Sequence, residues 1–260
     1  MQRLALAAAL LLPLAAAAEE AAAPKPAEWK GTVGAGLIVL TGNSDTTTFT
    51  GSASASRETF GWILSAKAAG AYGENRPAAG GARQTTAYAM SGQLRLDRKF
   101  GDVWTVFALG GAEADHVANV AYRTISELGV SAQWLDVKEA DFTRAALRTD
   151  LGLRYGYEAR WQYYGTPTGP QPGVELVAPR LGLAFRYGFS KEVFFTEDAE
   201  VFPSLTGESR VQVRSVSKLS SRLTQAMTLG VGYTVSFDSR PAAGKEKTDT
   251  ALTALLEVGF

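Results

Sequence analysis

The stretch MTLGVGYTVSFD, residues 227–238, alternates strictly between large apolar side chains and small or polar ones. Successive side chains of a β-strand point to opposite faces, so this stretch predicts a strand with one apolar face and one small or polar face. Residues 147–158 and 180–189 repeat the alternation, and helical spacing fits none of the three segments. The chain is therefore predicted to consist of long strands with a period of two.

The composition of the polar faces indicates which face lies inside. These faces carry glycine, serine, threonine, arginine and acidic residues, with few lysines. A soluble β-protein turns its apolar faces inward, whereas glycine opposite large outward aromatic side chains suits a curved wall around a crowded polar interior. This pattern predicts an all-β fold, an antiparallel transmembrane β-barrel of the outer membrane with about twelve strands. A soluble periplasmic lipid-binding β-barrel is the alternative.

Twelve candidate strands can be placed along the chain, an even number as expected for a single-chain bacterial barrel. They are residues 29–41, 45–58, 61–73, 84–98, 102–114, 121–135, 143–159, 174–188, 191–203, 209–219, 223–238 and 248–260. Connections after the even-numbered strands are short, whereas 73–83, 161–173 and 239–249 are longer and rich in glycine and proline. Short periplasmic turns and longer outer loops are typical of such barrels, so both termini are predicted to lie in the periplasm. Aromatic residues expected at the periplasmic rim are Trp29, Phe60, Trp62, Phe100, Trp104, Trp134, Phe189 and Phe260.

The N-terminal segment MQRLALAAALLLPLAAAA, residues 1–18, has the three parts of a secretory signal peptide in order. Arg3 supplies the positive charge, an apolar run follows, and Ala16 and Ala18 satisfy the small-residue rule for cleavage. Residues 19–28 are rich in alanine, proline and charge, which predicts a flexible periplasmic tether. The barrel is then expected to span residues 29–260, and the protein to reside in the outer membrane of a Gram-negative cell.

The C-terminal strand predicts how the chain is assembled. It ends in an aromatic residue, and the positions two, four, six and eight residues earlier are all apolar. A terminal aromatic on an amphipathic last strand resembles the signal that the barrel assembly machinery recognises. The predicted assembly signal is Leu252, Ala254, Leu256, Val258 and Phe260. The expected partners are thus this machinery and outer-membrane lipid.

Composition excludes much chemistry. The chain has 26 basic and 26 acidic residues, no cysteine and one histidine. Without cysteine there is no disulfide, thiolate metal site or cysteine nucleophile, and one histidine cannot form a multi-histidine metal site. Basic residues are interleaved with acidic ones and form no stripe for nucleic acid. No cofactor, metal or nucleic-acid partner is expected.

Charged residues on the predicted inner faces are the main candidates for function. In a narrow lumen such charges must pair or stay hydrated, because an isolated buried ion is very costly. Two interpretations remain open: a salt-bridged plug that stiffens the wall, or a charged constriction that selects small polar or ionic solutes. The candidate lumen residues are Arg123, Glu127, Arg148, Asp150, Arg154, Glu158, Arg180, Arg186, Asp198, Glu200 and Glu257.

The motif Thr41-Gly42-Asn43-Ser44-Asp45 suits a tight hairpin turn, since glycine and asparagine tolerate positive φ. A ligand or ion site using Asn43 and Asp45 is the alternative. Together with the preceding Trp29-Lys-Gly31, this motif resembles the opening of the salt-induced outer-membrane proteins, a family named for a domain of unknown function. The resemblance covers roughly residues 29–260 and implies an outer-membrane barrel linked to osmotic or salt stress, with no assigned catalytic residues.

His116 carries the one enzymatic hypothesis. It follows Asp115 at the outer end of the fifth predicted strand. Some barrel enzymes use a histidine as general base for a serine that cuts or acylates lipids. Ser91 and Ser126 would be candidate partners, so a lipid hydrolase or acyltransferase is the alternative to a non-enzymatic channel or structural barrel.

Overall fold

The computed structural model describes residues 28–40, 44–77, 82–164, 168–206 and 209–260. The predicted signal peptide, the tether up to residue 27 and residues 41–43 of the turn motif lie outside these ranges. No helix in the described ranges is long and apolar enough to cross a membrane.

The described residues form twelve strands that pair in sequence order and close on themselves, with β1 next to β12. Every pairing is antiparallel. The strands are β1 Lys30–Leu40, β2 Ser44–Thr59, β3 Trp62–Pro77, β4 Gln84–Phe100, β5 Trp104–Asp115, β6 Val120–Glu139, β7 Phe142–Gln162, β8 Gly169–Gly188, β9 Val193–Pro203, β10 Val211–Arg222, β11 Met227–Asp238 and β12 Thr248–Gly259. The predicted fold class, a closed antiparallel barrel of twelve strands, is confirmed.

Several predicted boundaries are wrong. Residues 136–139 and 169–173 were expected in connections, but the hairpins β6–β7 and β7–β8 continue through them. These strands extend because their ladders continue past the predicted ends, for example where Arg160 pairs with Gln171. Conversely, β11 begins at Met227 and not at residue 223, since Leu223 N–H donates to the carbonyl of Met227 (2.8 Å) and closes a turn there.

The two ends of the barrel differ in their connections. At one end, here called the short-turn end, the strands are joined through residues 60–61, 101–103, 140–141, 189–192 and 223–226. Phe60 and Gly61 both have positive φ (50° and 74°), which is the conformation of the two-residue turns that suit twisted hairpins. The aromatic residues predicted for one rim are all exposed, for example Phe60 at 77%. The opposite end, the long-loop end, includes connections such as 204–210 and 239–247.

The outer wall of the barrel is apolar and the inner wall polar. Leu94, Leu128 and Leu181 are exposed, at 61%, 69% and 56%. Their neighbours in the sequence, such as Arg95 beside Leu94 and Glu127 beside Leu128, point inward and are buried. This is the reverse of a soluble barrel and matches a membrane-embedded wall, so the soluble lipid-binding alternative is not supported.

An acidic group, the Glu197 carboxylate, lies on the outer wall. Glu197 pairs with Phe185 and Ser217 across its two neighbouring strands, and therefore shares the outward face of Phe185. Ser215 Oγ donates to Glu197 Oε1 (2.6 Å), and Ser217 Oγ donates to the other carboxylate oxygen. Nothing in the alternating pattern singled out this group.

The seam between β1 and β12 closes the barrel. Gly31 N–H donates to the carbonyl of Phe260, and Phe260 N–H donates to the carbonyl of Gly31, both at 3.0 Å. A β-carbon at Gly31 would lie 2.5 Å from both the Phe260 ring and the carbonyl oxygen of Ser54, so this position requires glycine. The residues of the predicted assembly signal on β12 face outward and are exposed; they are Leu252, Ala254, Leu256, Val258 and Phe260.

Candidate functional site

A layer of ion pairs fills the lumen beside β4 to β9, and is here called the central layer. Arg95 on β4 reaches across to Asp150 on β7, with Nη1 donating to Oδ2 at 2.8 Å. Arg180 on β8 contacts the same Asp150 oxygen and Glu127 Oε1, both at 3.2 Å. Arg154 donates to the second oxygen of Glu127 at 2.9 Å. Strands that are not neighbours are thereby cross-linked through the interior.

The central layer is electrically balanced. It joins the four arginines and four carboxylates Arg95, Arg148, Arg154, Arg180, Asp97, Glu127, Asp150 and Glu200. Two of the guanidinium groups also lie over aromatic rings, with the Arg95 Cζ 3.8 Å from the Phe107 centroid and the Arg154 Cζ 4.4 Å from that of Phe202. Burying so many charges is tolerable because each has an opposite partner.

A second layer, here called the outer layer, lies nearer the long-loop end. Glu158 accepts from Arg160 Nε and Arg123 Nε, and from Arg210 Nη2 at 3.2 Å. Arg210 Nε also donates to Asp238 Oδ1 at 2.9 Å, which ties β7 to β11. With the Arg123–Glu113 pair, three arginines face three carboxylates.

The structure brings most of the predicted lumen residues together. Those that join one of the two layers are Arg123, Glu127, Arg148, Asp150, Arg154, Glu158, Arg180 and Glu200. Glu257 is separate, pairing instead with Lys218 Nζ at 2.8 Å. Arg186 and Asp198 face the lumen but join neither layer: among the described residues neither forms an ion pair.

Sequence reasoning missed several members of these layers. Arg95 and Asp97 alternate with the outward Leu94 and Leu96, so the period-two pattern of LRLDRKF at 94–100 could have identified them. Arg210 falls within the predicted strand 209–219 but was not selected, and the structure places it in the connection before β10, which begins at Val211. The other missed members are Glu113, Arg160 and Asp238.

The rest of the lumen is open to solvent. Lys67 and Ala69 face inward from β3 and are exposed. Asp198 on β9 and Ala251 on β12 also face inward and are exposed. The central layer thus lies on the β4–β9 side, whereas the outer layer reaches across to Asp238 on β11. A water-accessible space remains beside the central layer, along the inner faces of β3 and β12.

The surroundings of His116 do not favour the enzymatic hypothesis. The His116 ring stacks on Tyr163 with centroids 3.9 Å apart and lies 4.5 Å from that of Tyr88. Ser91 faces the lumen from β4, whereas Ser126 faces outward from β6. In the part of the chain that the structure describes, no serine hydroxyl hydrogen-bonds to the His116 ring.

The turn motif is described only in part. Thr41, Gly42 and Asn43 lie outside the described residues, and β2 begins at Ser44. Asp45 pairs with Arg76 in the ladder between β2 and β3. The described ranges contain no group of three or more histidine, cysteine or acidic residues arranged to hold a metal ion.

Comparisons with known proteins give a family and a set of distant structures. The translocator domain of the autotransporter NalP from Neisseria meningitidis is 14% identical, with 89% of this chain and 86% of that chain covered and a TM-score of 0.49. The NanC porin is 13% identical over 88% of this chain and 97% of its own, with a TM-score of 0.43. The KdgM porin in complex with a disordered oligogalacturonate is 11% identical over 90% of this chain and 99% of its own, with a TM-score of 0.41.

No curated protein matches the chain significantly. A family of uncharacterised proteins matches residues 33–260. Because this match covers most of the sequence, the chain belongs to the family described as "Protein of unknown function, DUF481".

Proposed function

We propose that this protein is a narrow outer-membrane pore for small polar or ionic solutes. The observation that carries the proposal is the open side of the lumen, where Lys67, Ala69 and Asp198 remain exposed at the level of the spanning strands. A barrel whose only role was structural could fill this space with side chains, as small eight-stranded barrels do.

The two ion-pair layers give the pore its small bore. Their buried arginines and carboxylates are held by each other and by neighbouring strands, so they form a rigid obstruction. Twelve strands lie between side-chain-filled eight-stranded barrels and open sixteen-stranded porins. Solutes would pass beside the layers, past the positive Lys67 and the negative Asp198, which makes ions and small polar molecules the expected cargo.

The turns and the outward face of β12 also suggest how the barrel is oriented and assembled in the membrane. We place the short-turn end in the periplasm, because outer-membrane barrels keep short turns there. The outward apolar positions of β12 up to Phe260 would be read by the barrel assembly machinery, with lipid as the partner of the finished wall. The link to osmotic or salt stress rests on the family resemblance of residues 29–46, and loss of growth at high osmolarity in a deletion strain would support it.

The test is planar-bilayer conductance of refolded protein against a heat-denatured control. Discrete current steps with the refolded protein are the expected result. An inserted barrel, shown by protease protection, that passes no current would contradict the pore and leave a structural role.

Lys67 allows the path to be located. Lys67→Glu reverses a charge on the open side and should shift the reversal potential toward cation selectivity in a salt gradient. Lys138→Glu, on an exposed residue at the short-turn end, is the matched control and should leave selectivity nearly unchanged. Equal shifts for both variants would show that the current does not pass Lys67.

The same preparation tests the lipid-hydrolase alternative. His116→Ala should keep the conductance of the parent, because the ring packs between tyrosines away from the open side. If the parent protein turns over phospholipid in vesicles and His116→Ala abolishes that turnover, the enzymatic alternative replaces the pore.

A further inference from the structure

Two arginines near the short-turn end of the lumen stand outside the balanced layers. Arg186 lies close to the end of β8, and Arg222 is the last residue of β10. Within the described ranges, no carboxylate oxygen lies within 4.0 Å of either guanidinium group. The lumen therefore carries uncompensated positive charge at this end, in contrast to the neutral central and outer layers.

Arg186 is held in place without being neutralised. Its guanidinium carbon lies 3.9 Å from the centroid of the Phe194 ring, a cation–π arrangement. Its Nε is buried and has no hydrogen-bond acceptor. A buried donor without a partner is costly, and native structures normally supply an acceptor, a water or a ligand.

A second unpartnered donor lies beside the same ring. Ser220 on β10 pairs with Phe194 on β9, and its side chain faces the lumen. It is only 1% exposed, and its Oγ has no hydrogen-bond partner. Arg222 lies two positions further along β10 and so points to the same inner face.

Neighbouring acidic side chains do not complete this group. Glu257, which pairs with Thr228 opposite Arg222, is bound by Lys218 Nζ at 2.8 Å. Glu192 adjoins Arg222, whose N–H donates to the Glu192 carbonyl at 2.8 Å. The Glu192 carboxylate, however, accepts from Ser190 Oγ at 3.0 Å and lies 3.8 Å from Lys191 Nζ. Asp198 faces the open part of the lumen from the same strand as Phe194 and forms no ion pair within the described residues.

We propose that Arg186, Ser220 and Arg222 form a binding site for an oxyanion, the carboxylate or phosphate group of a small solute. The group offers two cationic donors and a hydroxyl donor but no neighbouring acceptor within reach, which is the complement of such an anion. The proposal deepens the pore function and rests on it for its physiological meaning: the site would collect anionic solutes at the short-turn mouth of the lumen.

Current block by inorganic phosphate tests the site in the working pore. Phosphate added in millimolar amounts to a chloride electrolyte should reduce the single-channel current, and more strongly from one side of the bilayer. Arg186→Gln and Arg222→Gln should each raise the half-blocking concentration about tenfold, the loss of one charge-assisted hydrogen bond. Ser220→Ala should raise it by a smaller factor.

Arg57→Gln is the matched control. It removes a positive charge near the same end of the barrel, but from the outward face that Arg57 shares with Leu64. Its phosphate block should equal that of the parent. If all three arginine variants weaken the block equally, the effect is general electrostatics and the site is wrong. A parent pore that conducts but is not blocked by phosphate also refutes the site while leaving the pore intact.

If the barrel passes no current, a direct binding measurement tests the oxyanion site. Titration calorimetry of refolded protein with inorganic phosphate should give saturable binding that Arg186→Gln weakens and Arg57→Gln does not. Binding of this kind in a non-conducting barrel would support the site and reject the pore. Absence of saturable binding in the folded parent would overturn the site.

Discussion

Leu94 and Gln93 show how neighbouring residues of one strand meet different solvents. Leu94 lies on the outer wall, 61% exposed, whereas Gln93 faces the lumen opposite Lys67. Leu94→Arg should lower the free energy of unfolding by about 2–4 kcal/mol, since it places a charge in the lipid-facing wall. Gln93→Arg should cost about 1 kcal/mol or less, mainly through repulsion from Lys67.

Denaturant unfolding of both variants in lipid vesicles measures this difference. The Leu94→Arg protein should have the lower transition midpoint, with unchanged strand content before the transition. Equal destabilisation by the two substitutions would mean that the assigned faces are wrong.

Glu197 is an acidic residue that the outer wall tolerates at a cost. Its carboxylate is partly satisfied by Ser215 and Ser217, but it shares the face of Phe185 and so lies toward lipid. Glu197→Gln keeps the size and an acceptor oxygen while removing the charge. We expect this change to raise the free energy of unfolding, because a charge on the lipid-facing wall is destabilising. The gain should be about 1 kcal/mol, since acidic residues on this face cost less than basic ones.

The measurement is the same vesicle unfolding, with Glu246→Gln in the exposed 239–247 connection as the control. That control should leave stability nearly unchanged. A loss of stability in Glu197→Gln would show that the two serine hydroxyls need the carboxylate as acceptor. The charge would then stabilise the wall.

Strand identity was predictable from the sequence, whereas strand ends were not. Alternation of side chains is a direct consequence of strand geometry, and it predicted twelve strands and the inward side of residues such as Arg154. Boundaries depend on where ladders stop, and the hairpins β6–β7 and β7–β8 continue beyond the alternating apolar pattern. A strand that leaves the membrane keeps its hydrogen bonds but loses the need for an apolar face.

The candidate site was predictable in membership but not in pairing. The alternation along β8 predicts that Arg180 and Arg186 both face the lumen. Arg180 joins the central layer, whereas Arg186 lies over the Phe194 ring. The difference depends on contacts between strands that are not neighbours, such as Arg95 with Asp150, and on residues in connections, such as Arg210. Alternation along one strand carries no information about either.

The β1–β12 seam is sensitive to a single added methyl group. Gly31→Ala places a β-carbon 2.5 Å from the backbone carbonyl oxygen of Ser54 and from the Phe260 ring, so one of them must move. We expect a loss of about 1–3 kcal/mol and a lower yield of closed barrel, because overpacking displaces the seam. Heat-modifiable migration on gels and denaturant unfolding measure both effects.

Gly51→Ala is the matched control for the seam. Gly51 lies on β2, and no atom comes within 4 Å of a β-carbon built there. Its stability should change by about 0.5 kcal/mol or less. If Gly31→Ala behaves like Gly51→Ala, the seam is looser than the hydrogen bonds between Gly31 and Phe260 indicate.

The barrel as a whole is asymmetric in its interior. The β4–β9 side carries the central layer, and the outer layer spans the lumen to Asp238 on β11, whereas the inner faces of β3 and β12 expose Lys67 and Ala251. Neutral layers stiffen the wall without creating a strong field, so ion selectivity would come from the few unpaired charges around the open side. Stability and selectivity are thereby assigned to different groups of residues in the same lumen.

This division predicts that breaking the central layer affects stability more than selectivity. Asp150→Asn leaves Arg95, Arg148 and Arg180 facing one another and should cost about 3–5 kcal/mol, as loss of one partner from a buried ion pair does. Adding Arg95→Gln should relieve part of that repulsion. The double variant should therefore be more stable than the sum of the two single changes predicts, by about 0.5–3 kcal/mol.

Unfolding of the two single variants and the double variant in vesicles closes this cycle. The reversal potential of the double variant should stay at the parent value, because one positive and one negative charge are removed together. Its conductance should stay close to that of the parent, because the proposed solute path runs beside the central layer. Additive stability changes would mean that Arg95 and Asp150 do not hold β4 to β7. A marked rise in conductance or a shift in selectivity would mean that solutes pass through the central layer.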